Sequence, residues 1–391
     1  MKVLVIDNSP GMGGSIFTAV AILNGLIQFG EPAALAASRP DLYRPLLNEA
    51  VRFLEIGWNG FRNVFDPSHG LFGGKIPGVS QALALRRFSK KLSPEIEKTI
   101  KIFSPDLVVI NNLNLPNLPV LEAAKHRRLP VVLHAQMIRA FGRREGRMAA
   151  KADQIVCVSE AVRECLMEQM FLDPQRVSVI TPGVDPSRFP TERNPAARRS
   201  FGLPESVPIA CLVGRLSRWK GHHVAIRAWE IVHHEFPQAI LAIAGAGEED
   251  YMAECRALAT QLGLSEAVKF IGHQTDVPRV LAAGDLLLHS SCYAHYRQGP
   301  VEALGMVVLE AMAARLPVIA TAAGGVREIV EDGVTGKLVP PGDPQAIAEA
   351  IINYFRDPAA GLAAGGRGRR RVTENFTTQI MVEKWYDILK Q

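Results

Sequence analysis

The chain has 391 residues, 48% of them apolar and 21% charged, with a net charge of +5. That length suits two cores of ordinary domain size better than one, and the balance excludes a disordered or fibrous chain. No apolar run reaches the roughly 18 to 20 residues that a bilayer-spanning helix needs, and five cysteines with no C-x-x-C spacing form neither a disulfide framework nor a thiolate metal site.

Val3-Leu4-Val5-Ile6 opens the chain as a short apolar strand. Asp7 and Asn8 follow where a secretory signal would stay apolar, so a cytoplasmic location is expected. N-S-P-G-M-G-G-S then turns into an apolar-periodic helix. Gly13 and Gly14 at its start let a phosphate or a polar acceptor group approach the backbone, and a purely structural tight turn is the other reading. It is not a dinucleotide fingerprint, because Ile16 stands at the third glycine of G-x-G-x-x-G. Over 52–92 lie seven basic residues, Arg52, Arg62, Lys75, Arg86, Arg87, Lys90 and Lys91, against Glu55 and Asp66, an excess equal to that of the whole chain. With Phe53, Trp58, Phe61, Phe65, Leu71 and Phe72 the segment fits an anionic membrane surface or a lipid-linked acceptor, and equally a solvated helix-loop-helix with aromatics in the core. No nucleic-acid recognition motif accompanies the cations.

D-L-V-V-I-N-N, P-V-V-L-H-A, Q-I-V-C-V-S-E and V-S-V-I-T-P-G-V-D read as buried parallel strands, with loops at their carboxyl ends where ligands collect in open α/β sheets. His134 closes one of them and, on the residues alone, is a hydrogen-bonded structural histidine. Five prolines between Pro186 and Pro208 mark an interdomain connection, giving domains over 1–190 and 191–373, with a terminal helix over about 374–391. I-A-C-L-V-G-R-L then runs through S-R-W-K-G-H-H into a helix, which puts Arg215 and Lys220 at a strand-to-helix junction within reach of one diphosphate. Arg218 beside them reads as solvated. I-L-A-I-A-G-A-G and V-K-F-I-G-H are further strands with end loops near 245–247 and 271–273. After A-G-D-L-L-L-H-S-S comes P-V-E-A-L-G-M-V-V-L-E-A-M-A-A, a glycine-bearing turn feeding an apolar helix. Amides near Gly305, Met306 and Val307 lack intrahelical partners and sit at the positive end of the helix dipole, so they suit a diphosphate. Glu302 lies upstream, near a sugar, and Glu310 is placed to accept hydrogen bonds from vicinal hydroxyls such as those of a ribose. Two glutamates with seven residues between them also occur on ordinary solvated helix faces, so the pair gains weight from its surroundings.

The E-x7-E segment, G-R-L-S-R-W-K-G and G-G-V-R-E-I-V-E-D-G-V-T-G, in the order they take here, resemble those of the family 4, GT-B-fold retaining glycosyltransferases. The resemblance implies an α/β chain of two Rossmann-like domains facing a central cleft, with the C-terminal helix crossing back to the first domain. It implies no cofactor and no metal. The donor would be a nucleotide-diphosphate sugar, UDP or GDP, and the acceptor a glycan or lipid-linked hydroxyl in bacterial polysaccharide or glycolipid synthesis, in the cytoplasm or at the inner membrane face. By the same resemblance Arg215 and Lys220 bind the diphosphate and Glu302 orients the sugar. His134 acts catalytically beside the sugar, Gly13 and Gly14 face the cleft, and Ile271, Gly272 and His273 lie on the base side. The chain departs from the pattern at Pro182, where Asn is usual, and at Ala303 and Leu304, where Gly and Phe are. A longer approach over 292–301, with Tyr293, His295, Tyr296 and Arg297, reads as a flap over the sugar, a contact for a charged acceptor or a surface loop. Three rivals are a glycosidase with paired carboxylates, a GT-B sugar-nucleotide epimerase and a non-catalytic partner subunit.

Overall fold

The computed structural model describes residues 1–9, 11, 13–57 and 78–391, and the side chains of all of these but 78–85. Trp58, Phe61, Arg62, Phe65, Asp66, Leu71, Phe72 and Lys75 therefore lie outside the described residues. The chain divides into two units. One is Met1–Met137, Phe141–Ile180 and Met381–Gln391, and the other is Ile138–Ala140 and Thr181–Ile380.

The first unit holds a seven-stranded sheet of β1 (Val3–Asp7), β2 (Ala33–Ala37), β3 (Arg52–Glu55), β4 (Leu107–Asn111), β5 (Val131–Ala135), β6 (Gln154–Cys157) and β7 (Val177–Val179). Every pairing is parallel and the order is β3-β2-β1-β4-β5-β6-β7. Parallel strands covered on both faces are apolar at nearly every position, and β1, β2, β4 and β5 are buried throughout. The helix Gly14–Gln28 presents Ile16, Ala19, Ile22, Leu23 and Leu26 to this sheet at helical spacing. Arg52–Glu55, which one of the two readings of 52–92 put in a helix-loop-helix, is an edge strand paired with β2. The helix Thr378–Lys390 contributes Met381, Val382, Trp385 and Leu389 to the same core.

The second unit holds β8 (Ile209–Val213), β9 (Ile240–Ala244), β10 (Val268–Gly272), β11 (Leu286–His289), β12 (Val318–Thr321) and β13 (Lys337–Val339), all parallel, in the order β10-β9-β8-β11-β12-β13. Trp229, wholly buried on the helix His222–Glu235, belongs to one core cluster with Ile347 and Ile351 of the helix Pro344–Arg356. Arg198 is also wholly buried, and it is fully engaged: Nη2 is 2.8 Å from Asp285, while Nε and Nη1 donate to the carbonyls of Ala283, Glu205 and Val207. A buried cation needs that complement of acceptors to offset its lost hydration.

The boundary falls at 180/181, ahead of the 190/191 read from the prolines. Hydrogen bonds explain the shift, because Val184 N donates to Phe376 O and Thr378 N donates to Val184 O, which ties the segment after 180 to the second unit. The residues 138–140 join that unit through Val301 N donating to Ile138 O. No helix among the described residues is long and apolar enough to cross a membrane.

Candidate functional site

In the second unit the strand order reverses between β8 and β11, and the loops leaving these neighbours diverge from one point of the sheet edge. Such a reversal opens a crevice at the carboxyl ends of the strands. The β8 loop carries Arg215 and then the short turn Arg218–Lys220, which Gly221 joins to the helix His222–Glu235. Gly221 has φ +71°, and a Cβ there would lie 1.9 Å from the Ser290 carbonyl oxygen, so only glycine fits. The two loops are stitched at this contact. Ser290 Oγ donates to Lys220 O at 3.0 Å, and Cys292 N donates to Trp219 O at 2.9 Å.

Lys220 is thereby aimed at Glu302. Its Nζ is 2.6 Å from Oε2 of that carboxylate and 4.4 Å from the centre of the Trp219 ring. The same Oε2 lies 2.9 Å from His289 Nε2 and 3.1 Å from Ser291 Oγ. Ser291 is itself fixed, because its carbonyl accepts from Thr321 Oγ1 at 2.7 Å. Burial works to raise the Glu302 pKa, but the Lys220 charge and the bonds from His289 and Lys220 outweigh it and hold the carboxyl well below the usual range.

Three residues after Glu302, Gly305 takes the left-handed conformation (φ +91°) and starts the helix Met306–Ala313. The amides of Met306 and Val307 open that helix and have no carbonyl behind them within it. Glu310 stands half-buried on the same helix, and its carboxyl makes no hydrogen bond or ion pair among the described residues. Burial raises its pKa to about 7 despite the opposing charge of Arg188. Arg215 is exposed and likewise has no partner among the described residues.

Lys220 and Gly305 thus both lie against Glu302, whereas other expected site residues do not join them. Ile271 and Gly272 end β10, the edge strand three places from β11, where Gly272 O accepts from Gly245 N, and His273 just after them is exposed. Over 292–301 the chain is a self-bonded turn: Gln298 Oε1 accepts from the amides of Ala294 and His295, and the Tyr293 ring packs on Gly299. Arg218, read as solvated, is exposed yet forked onto Glu254 and stacked over Tyr251.

In the first unit Gly13 is extended, and a Cβ there would meet nothing within 4 Å, so packing does not demand this glycine. Behind it lies a buried polar cluster that sequence reasoning missed. Asp7 accepts from Ser9 and from Asn111 Nδ2, and Ser9 Oγ is 2.7 Å from Ser15 Oγ. His134, expected beside the sugar, stands in the same cluster. Its ring has no exposed surface, Nδ1 is 2.9 Å from Asn111 Oδ1, and the Trp385 ring meets it edge-on at 4.9 Å. Burial lowers its pKa to about 3, which leaves a neutral imidazole embedded in the core.

His289 and Ser291 also went unread, although the signal was present: H-S-S follows an apolar run, as His134 does.

Comparison with known proteins turns this geometry into a family. Residues 194–375 match the profile described as glycosyl transferases group 1, and residues 62–188 match that of glycosyltransferase family 4. The chain belongs to this family. Among curated relatives of the chain is the D-inositol 3-phosphate glycosyltransferase of Salinispora tropica. The two are 33% identical over 262 residues, which cover 62% of this chain and 52% of the relative. The chain thus spans about half the length of the curated relatives it matches. Among solved structures, Anabaena HepE in complex with UDP and glucose superposes with a TM-score of 0.81 at 23% identity and full coverage of both chains. WaaG, a glycosyltransferase involved in lipopolysaccharide biosynthesis, does so with 0.71 at 18% identity and 99% coverage of each. These likenesses establish a GT-B fold of two parallel-sheet Rossmann-like domains for this glycosyltransferase family member.

Proposed function

We propose that the chain transfers a sugar, with retention, from a nucleotide diphosphate to a hydroxyl of a glycan or lipid-linked acceptor. The observation that carries this reading is the Lys220–Glu302 pair, just ahead of the helix Met306–Ala313, with Arg215 on the same loop as Lys220 and without a partner among the described residues. On donor binding Arg215 and Lys220 take the diphosphate with the amides of Gly305, Met306 and Val307, so cations and helix dipole rather than a metal neutralise the leaving group. Glu302 orients the sugar ring, and the unbonded Glu310 accepts from the ribose hydroxyls. The bond from the sugar C1 to the phosphate oxygen breaks as the bond from C1 to the acceptor oxygen forms on the same face. The departing phosphate oxygen takes the acceptor proton, which closes the charge balance.

UDP is the first nucleotide to try, because HepE has been seen with UDP and glucose. A polysaccharide or glycolipid acceptor is supported by WaaG, whose reaction lies in lipopolysaccharide synthesis. Arg86, Arg87, Lys90 and Lys91 support a peripheral contact with an anionic membrane, since all four are exposed on the helix Gly78–Phe103. The deciding experiment measures thermal stabilisation by UDP, GDP, ADP and their sugars, then transfer with Glu302→Gln. A ligand at 100 times its Kd adds about 2.7 kcal/mol of stability, and the variant should lose at least ~100-fold in kcat. Stabilisation by none of these ligands, or full activity in the variant, overturns the reading.

A further inference from the structure

Glu302 has three donors on one oxygen, Oε2, and one of them is needed elsewhere. If Lys220 turns toward a diphosphate, as the proposed transfer requires, the carboxylate loses the ammonium paired with it while it stays buried. Removing one partner from a buried pair normally leaves the other strongly destabilised. What remains is His289 Nε2 at 2.9 Å and Ser291 Oγ at 3.1 Å. We propose that His289 is the positioning residue that holds Glu302 in place once Lys220 engages the donor phosphates.

Three observations carry this. His289 is the last residue of β11, 5% exposed, so its ring is fixed by the strand and cannot follow the ligand as the long Lys220 side chain can. Its Nδ1 is buried without a partner, so the polar contacts of the imidazole among the described residues are Glu302 and Ser291 alone. With Nδ1 unbonded, the Nε2–H form that donates to the carboxylate is the one that the surroundings favour. An apolar residue would suit a buried strand end better, and the carboxylate is what gives the polar ring its place there.

The inference rests on the proposed transfer reaction, and its test separates the two. His289→Leu keeps an apolar body and removes the donor, while His289→Gln restores an N–H. Both are compared with wild type for binding of the nucleotide sugar that stabilises the wild type most, and for release of nucleoside diphosphate from it. Expected for His289→Leu is donor binding within about threefold of wild type and kcat lowered by at least ~100-fold, with His289→Gln recovering at least ~tenfold. Should His289→Leu not fold, His289→Met carries the test against His289→Gln, because Met fills the site without an N–H donor and should lose kcat with little change in KM where Gln does not. Equal impairment by Leu and Gln, or kcat within threefold of wild type in the Leu variant, overturns the role of His289. Wild-type protein that binds no nucleotide sugar overturns the transfer reading and His289 with it.

Discussion

Glu302 and Glu310 belong to one motif, yet their surroundings drive them in opposite directions. Glu302 is buried against Lys220 and His289 and is held ionised, while burial pushes the half-buried Glu310 up to about 7 against the opposing charge of Arg188. The linkage signs follow. The lowered carboxyl of Glu302 adds stability that is present above the ordinary carboxylate range and is lost as pH falls below it. The raised carboxyl of Glu310 does the reverse: stability falls as pH climbs from its ordinary value near 4.5 to about 7 and then levels off. Glu310→Gln should therefore stabilise the protein at pH 8 by about 1–3 kcal/mol and by almost nothing at pH 4, read as Tm across pH. The proposed ribose contact needs the ionised Glu310, so on that proposal affinity for UDP-glucose, whose diphosphate diester does not titrate there, should tighten between pH 6 and 8. In Glu310→Gln that slope should vanish, and a slope that persists would assign it to another group. Glu310 was conspicuous as a charge on a glycine-initiated apolar helix, and Glu302 as a charge just ahead of that glycine. His134 and His289 were read unevenly, since each follows an apolar run and the sequence does not say which ring meets a carboxylate and which meets Trp385.

At the level of elements, the strand-to-helix junction at Gly221 governs where Lys220 points. Gly221→Ala puts a methyl 1.9 Å from the Ser290 carbonyl at a φ that L residues avoid, so the β8 and β11 loops must part. The expected cost is about 1–3 kcal/mol in denaturant unfolding, together with weakened nucleotide-sugar binding. Unchanged stability would mean that the two loops are not locked together as described. On the helix Gly78–Phe103, Arg86 and Arg87 are followed one turn later by Lys90 and Lys91, an i, i+4 spacing that gathers the four cations on one face. Changing all four to Ser should abolish co-flotation with vesicles containing phosphatidylserine, at about 1 kcal/mol per cation, and leave the melt unchanged. Retained flotation would remove this helix from the membrane contact. The elements were legible to different degrees. Val- and Ile-rich strands such as β1, β4 and β5 announce themselves, whereas β2 is Ala-Ala-Leu-Ala-Ala and β3 is Arg-Phe-Leu-Glu. Alanine has little intrinsic strand preference, and β2 is extended because β1 and β3 flank it.

For the molecule as a whole, the chain's last residues complete the core of the unit that its first residues begin. Met381, Val382, Trp385 and Leu389 pack with Val3, Ile16 and Leu23, and Val382 comes so close to Gly25 that a Cβ there would lie 2.1 Å from its Cγ1. Tyr386 adds a stacked contact on Phe29 with ring centres 4.2 Å apart and a hydrogen bond to Glu31 of 2.9 Å. Removing four buried apolar side chains, one of them tryptophan, costs on the order of 8–15 kcal/mol by the usual large-to-small values. That is comparable with the entire stability of a typical domain, about 5–15 kcal/mol. A chain ending at Ile380 should therefore lose the cooperative unfolding of the first unit, while the second, whose core clusters contain none of these residues, keeps its own transition. Calorimetry distinguishes the outcomes: one transition retained and one lost supports the account. Two intact transitions would mean that the first unit folds without its terminal helix, and the loss of both would mean that the second depends on the first.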